Sequence, residues 1–389
     1  MAKKYIDYKT SFHALGYVFR LNELNDVIEC NGTRLTDTID AEIKSKMGDV
    51  GFGSRPRVEE AWKRLAGENR YHPIREYFER LPVWSGQDSF GQLMSFFDFK
   101  HRAFAHTAIR KFMIGTIAKV FEQHRNFMLV IDGKQMMGKS YFSRWLCPIE
   151  KYFVEGALNP DHNDTKLRTM SYFMWEVAEF QSTTRKSDQE ALKNIISQSR
   201  MTARRPYSRY DLEKPITVSF IGTINENGNG MLTDSTGSTR FATINILNIN
   251  HDYTKINRED LWSQIYFSYL NGEKGELTLP ERNTQEYINK GYEMSSLATQ
   301  LFFANYEIDT LKYVDNWISI AEIISTLELQ GLKMPQRISQ MDISALLIKE
   351  GCERSNKSTI TGCGRQTCYN GIEAIKQANP KINVWGKTP

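Results

Sequence analysis

The octet Gly133-Lys134-Gln135-Met136-Met137-Gly138-Lys139-Ser140 sets a glycine on each side of four residues and ends on a lysine and a hydroxyl. That spacing suits a phosphate-binding loop. The glycines allow main-chain N–H groups to turn inward around phosphate oxygens, and a helix starting at Tyr141 adds the positive end of its dipole. Lys139 would neutralise the β- and γ-phosphates and Ser140 would ligate Mg²⁺, so ATP and Mg²⁺ are the expected ligands of residues 133–141.

Such a loop needs an acid at the end of a neighbouring strand. Phe173-Met174-Trp175-Glu176-Val177-Ala178-Glu179 supplies one, with Glu176 closing the apolar run and Glu179 one turn further on. Glu176 is assigned to the metal and Glu179 to water activation, although the two roles are interchangeable, and a solvated glutamate pair at a helix start is the plainer alternative. Ile221-Gly222-Thr223-Ile224-Asn225 ends another apolar run. The Asn225 amide there would orient an attacking water, unless it is an ordinary turn asparagine. Arg240, just ahead of the apolar run 241–247, would stabilise charge on a γ-phosphate across a subunit interface; the bland reading pairs it with Asp234.

A basic stretch interleaved with tyrosines, Arg204-Arg205-Pro206-Tyr207-Ser208-Arg209-Tyr210, lies between the acid run and the asparagine run. Its composition fits phosphate contacts and base stacking on DNA, with Arg204, Arg205, Tyr207 and Arg209 as candidates. The competing reading pairs these arginines with Asp211 and Glu213. Near the C-terminus, Arg354 and Lys357 fall on a strand-turn-strand pattern after two helices, the order of a winged helix-turn-helix that binds DNA or protein.

The elements that must position these residues follow from periodicity. Residues 127–131 are a short continuous apolar run typical of a buried parallel strand, and 171–175 and 216–221 are two further buried-strand candidates, separated by helical patterns. Residues 109–123 read as an amphipathic helix with Ile109, Phe112, Met113, Ile117 and Val120 on one face. The expected fold class is α/β, a P-loop ATPase core with a parallel sheet (107–283). A mostly helical domain precedes it (1–106), with helices over 41–47, 58–65 and 74–80 and a strand pair around 21–35. A linker helix, 284–303, and the winged-helix domain follow (284–389), with helices over 317–329 and 337–350 and a strand pair over 351–370.

The chain has 389 residues, 40% hydrophobic and 25% charged, with a formal net charge of +4, so a nucleic-acid surface must be local. Five cysteines with no CxxC pair fit neither a zinc site nor a disulfide framework. No apolar stretch is long enough to cross a bilayer and the N-terminus lacks a signal-peptide core, so no membrane partner is expected and the location is read as cytoplasmic.

The 133–140 loop, Trp175-Glu176-x-x-Glu179, Arg205-Pro206-Tyr207-Ser208-Arg209, Ile221-Gly222-Thr223-Ile224-Asn225 and Gly237-Ser238-Thr239-Arg240-Phe241 resemble the virulence-associated protein E family, related to superfamily 3 helicases and found in phage, plasmids and genomic islands. So does Asn69-Arg70-Tyr71-His72-Pro73-Ile74-Arg75 ahead of the loop. The resemblance spans roughly residues 21–247. It implies a hexameric AAA+-type ring that moves on single-stranded or forked DNA, 3′ to 5′, as a replicative helicase. By position, Lys139 and Ser140 are Walker A residues and Glu176 and Glu179 the Walker B acids. Asn225 becomes the sensor, Arg240 the trans-acting arginine, and Arg205 and Arg209 part of a DNA-facing hairpin. Two departures stand out: Ile224 occupies a position where Thr or Ser is commoner, and only one arginine follows Gly237. No primase-like pattern precedes the loop, so priming would fall to another chain. The alternative is an assembly or regulatory ATPase that acts on a protein partner without unwinding DNA.

Overall fold

Residues 128–133, the apolar run before the glycine loop, form the second strand of a six-stranded sheet in a computed structural model that describes residues 4–158, 162–177, 186–205, 208–225, 239–292, 297–329, 336–358 and 365–375. The strands are β1 (Phe97–Phe99), β2 (Met128–Gly133), β3 (Phe153–Glu155), β4 (Met174–Val177), β5 (Ser219–Asn225) and β6 (Phe241–Ile249). Their spatial order is β1-β6-β2-β5-β4-β3. All neighbours run parallel except β1, which pairs antiparallel with the far end of β6. Every residue of β2 and β4 is buried, as expected of strands covered on both faces.

Helix α1 (Arg102–Glu122) lies against β2 and β6 on one side and against helices on the other. It is buried nearly all round over residues 112–120, so the one-sided pattern expected of it is too narrow. Helix α2 (Lys139–Leu146) leaves the glycine loop and buries Phe142, Trp145 and Leu146. Helix α3 (Lys186–Ser197) precedes the hairpin Arg200–Ala203/Leu212–Pro215. Helices α4 (Arg258–Leu270) and α5 (Leu279–Lys290) close the core. Trp262 of α4 is fully buried and donates from Nε1 to the Leu146 carbonyl at 3.2 Å, which fixes the end of α2; its removal would cost about 3–5 kcal/mol.

Residues 8–66 have a core of their own, in which helices Asp37–Asp49 and Arg55–Glu68 cover a small sheet containing Phe19–Asn22 and Val27–Cys30. Residues 74–99, by contrast, contribute Ile74, Phe78, Phe90 and Phe97 to the core of the six-stranded sheet.

The chain divides into two units, at residues 293 and 294. The second unit contains helices Leu297–Asn305, Ile320–Leu329 and Gln336–Lys349 and the strand pair Arg354–Ser358/Arg365–Tyr369, around a core that includes Phe302, Ile323, Leu347 and Tyr369. The single helix expected over 284–303 is two, because α5 ends at Lys290 with Gly291 as its cap and the next helix starts at Leu297. The helix expected from residue 317 starts at Ile320, because Ile318–Ser319 pairs with the strand at Tyr369 and Cys368.

Candidate nucleotide site

Three parallel strands deliver their C-terminal ends to one place. Asn225 of β5 pairs with Gly133 of β2, and Ile221 of β5 with Glu176 of β4. Ligand crevices in open parallel sheets form at this edge. Residues 135–141, Glu155, Thr223 and Asn225 line a cleft of about 570 Å³ there. The buried Lys139 ammonium donates to the Gly133 and Lys134 carbonyls, both at 2.7 Å, and reaches Asn225 Oδ1 at 3.4 Å.

The glycines are explained by what surrounds them. Gly138 has φ +95°, and a Cβ on it would lie 2.5 Å from His251 Cε1. A Cβ on Gly133 would lie 2.8 Å from the Ile246 carbonyl of β6. Met136, also with positive φ, is almost fully exposed at the tip of the loop.

Glu176 has no exposed surface. Its Oε1 accepts from Thr223 Oγ1 at 2.9 Å, whereas Oε2 is sealed from solvent without a hydrogen bond of its own. Burial raises its pKa above the usual carboxylate range, against the opposing pull of the Ser140 and Thr223 hydroxyls. An orphaned carboxylate oxygen beside an exposed serine hydroxyl is a donor set suited to a hard divalent cation. Among the described residues no group of three His, Cys, Asp or Glu could hold a metal by itself, so such a cation would also need oxygens from a bound nucleotide. Glu179 and Tyr207 lie outside the described residues, as does the Lys357 side chain.

Arg240 stands at the other end of the sheet. It precedes Phe241, which pairs with Met128 at the start of β2, roughly 17 Å from Gly133 at a rise of about 3.3 Å per residue. Its Nε donates to Ser197 Oγ at 2.6 Å.

Of the basic stretch, Arg204, Arg205 and residues 208–210 lie between the two strands of the hairpin after α3. Arg205 is not free there: it pairs with Asp26 at 3.0 Å and donates to the Asn25 carbonyl at 2.6 Å. Arg200 pairs with Glu213 at 2.8 Å. Arg204 and Arg209 remain exposed, with Arg209 over the Tyr210 ring. Arg354 is exposed on the second unit's strand pair.

Three residues near the loop escaped the reading of the sequence. His251 packs on Gly138, Glu155 lines the cleft and pairs with Arg144 at 3.1 Å, and Asp132 immediately precedes the loop. The only local signal was the charge of Asp132 inside an apolar strand. His251 and Glu155 reach the cleft through sheet pairing and packing that no nearby residue announces.

The fold and this edge of the sheet define a parallel α/β protein with a glycine loop between a buried strand and a helix. The sequence pattern of the Virulence-associated protein E-like domain matches residues 78–294, more than half of the chain, and the chain belongs to that family. No curated protein sequence matches it. Apo structures of the NrS-1 C terminal region are similar in fold. One aligns at TM-score 0.54 with 12% identity, covering 94% of this chain and 99% of that one. Another aligns at TM-score 0.54 and 12% identity, covering 96% and 100%. No helix among the described residues is long and apolar enough to cross a membrane.

Proposed function

We propose that this chain is an ATP-hydrolysing motor on single-stranded or forked DNA, a replicative helicase of a mobile element that works as a ring, expected to be a hexamer. One observation carries the reading: Lys139, Asn225 and Glu176 share the C-terminal edge of adjacent parallel strands, while Arg240 stands at the opposite edge.

The 133–140 loop holds the triphosphate of ATP, with Lys139 as the charge partner that its buried ammonium is built to be. Ser140 and Glu176 would hold Mg²⁺, which when bound would neutralise charge on the phosphates. Asn225, between the loop strand and the acid strand, orients the attacking water, and Glu179 assists in its activation. Arg240 is too far from its own loop to touch a nucleotide there, so it serves the next copy in a head-to-tail ring. Arg204 and Arg209 at the hairpin tip, together with Tyr207, meet the DNA backbone and bases, and the second unit, read as a winged helix, adds Arg354 and Lys357. A separate primase supplies primers.

The test is ATP turnover with and without single-stranded DNA, together with unwinding of a forked duplex and a mass measurement. Stimulated turnover, unwinding and a hexamer are expected. Turnover indifferent to DNA with no unwinding would sink the helicase reading. A second reading, an ATPase acting on a protein partner, is favoured by one observation: Arg205 is spent on Asp26, which leaves fewer cations at the hairpin tip.

A further inference from the structure

A cleft of about 430 Å³ opens at the end of the central sheet remote from Lys139. Arg125, Arg240 and Arg282 line it from three elements: the turn before β2, the start of β6, and α5. None of the three pairs with a carboxylate among the described residues, whereas Arg110, Arg200 and Arg205 each do. The carboxylate in the cleft, Glu276, bonds His124 at 2.6 Å and feels the charge of Arg282 without forming an ion pair with it. Two of the guanidinium groups are oriented through Nε, Arg240 on Ser197 Oγ at 2.6 Å and Arg282 on the Leu277 carbonyl at 3.0 Å. Gln285 of α5 holds the backbone beside Arg240, donating to the Thr239 and Phe241 carbonyls at 3.2 and 2.6 Å.

Unpaired arginines converging on one concave surface are arranged for a multiply charged anion, which guanidinium groups bind through forked hydrogen bonds. We infer that Arg125 and Arg282 join Arg240 in binding the polyphosphate of a nucleotide held by a neighbouring copy of this chain. The chain's own loop is roughly 17 Å away along β2, so its own nucleotide cannot fill this cleft. The inference rests on the ATP-motor reading. It also supplies the second arginine that is missing beside Arg240 in the sequence: Arg282 comes from a helix 42 positions on (282 − 240).

The experiment uses full-length Arg125→Gln and Arg282→Gln, with melting and sedimentation to establish folding and assembly. Each keeps its own loop intact and should still bind a fluorescent ATP analogue, but more weakly than wild type once assembled, because every loop then faces a substituted cleft, while turnover falls by about tenfold or more. Mixing either with Lys139→Ala should raise turnover above the sum of the two separate proteins, since some interfaces then join an intact loop to an intact arginine face. Wild-type turnover in both variants overturns the inference, and so does a loss that mixing never restores, which would mark a role inside one subunit. Loss of single-stranded DNA affinity with DNA-free turnover unchanged also overturns it, by making nucleic-acid phosphate the ligand. Turnover that survives Lys139→Ala instead sinks the ATP reading itself.

Discussion

Tyr292 donates its phenol proton to Oδ2 of Asp132 at 2.6 Å, tying the turn after α5 to the residue that precedes the glycine loop. Asn245 of β6 donates to the same oxygen at 2.5 Å, and Asp132 is buried with Oδ1 unpartnered. Tyr292→Phe would leave a buried carboxylate with one side-chain donor. Hydrogen bonds to charged groups contribute about 1.5–3 kcal/mol, so a loss of that size is expected in urea unfolding. On the proposed ATP-motor reading, if Asp132 sets the position of Gly133, the KM for ATP rises as well. Unchanged stability would mean that another donor replaces the phenol.

Glu176 gives a prediction whose sign depends on pH. Its pKa is raised in the folded protein, so folding favours the protonated form and the ionised form costs stability. That cost is absent well below the unfolded carboxylate pKa of about 4.3 and is complete above the folded value. Glu176→Gln, which cannot ionise, should therefore melt at a higher temperature than the nucleotide-free wild type near neutral pH, with the gap closing as the pH falls toward about 4. On the proposed ATP-motor reading, turnover should be lost while nucleotide binding survives. A gap independent of pH would reject the buried-charge explanation.

The site was legible where sequence neighbours carry it and opaque where the sheet does. The loop, the strand holding Glu176 and the strand ending at Asn225 announce themselves because each combines a largely apolar stretch with a polar or glycine residue at its end. Nothing local signals that Asp132 meets a tyrosine 160 positions on, or that Arg205 meets Asp26 across 179. Composition marked Arg205 as a cation on a loop, yet the turn between Asn22 and Val27 brings it a carboxylate. Periodicity found α1 but understated its burial, because a helix between a sheet and other helices needs apolar residues on several faces, and Ala118 and Thr116 serve there without standing out as hydrophobic.

The Arg205–Asp26 pair separates anchoring from DNA contact within one hairpin. The two side chains are 37% and 26% exposed, so solvent screening limits their coupling to about 0.5–1 kcal/mol in a double-mutant cycle. Arg204→Ala and Arg209→Ala should leave the melting temperature unchanged. If each arginine neutralises one phosphate, removing it should make the slope of log affinity against log salt shallower by about 0.7 for single-stranded DNA. A salt slope unmoved by either exposed arginine would remove the hairpin tip from the DNA interface.

Lys119, in α1, is 1% exposed and its ammonium has no hydrogen-bond partner among the described residues. Burial alone pulls its pKa down to about 7, from about 10.4 in an unfolded chain. Because the folded state sheds this proton more readily, the penalty is negligible above about pH 10.5, grows as the pH falls, and is complete below about pH 7. Lys119→Met retains an unbranched stem for the same space and removes the charge. It should stabilise the protein by a few kcal/mol near pH 6 and by progressively less toward pH 10, about 1.4 kcal/mol being lost per unit between the two pKa values. Urea titrations across that range read the effect directly, and a gain that stays flat with pH would show that the ammonium is solvated in the native state.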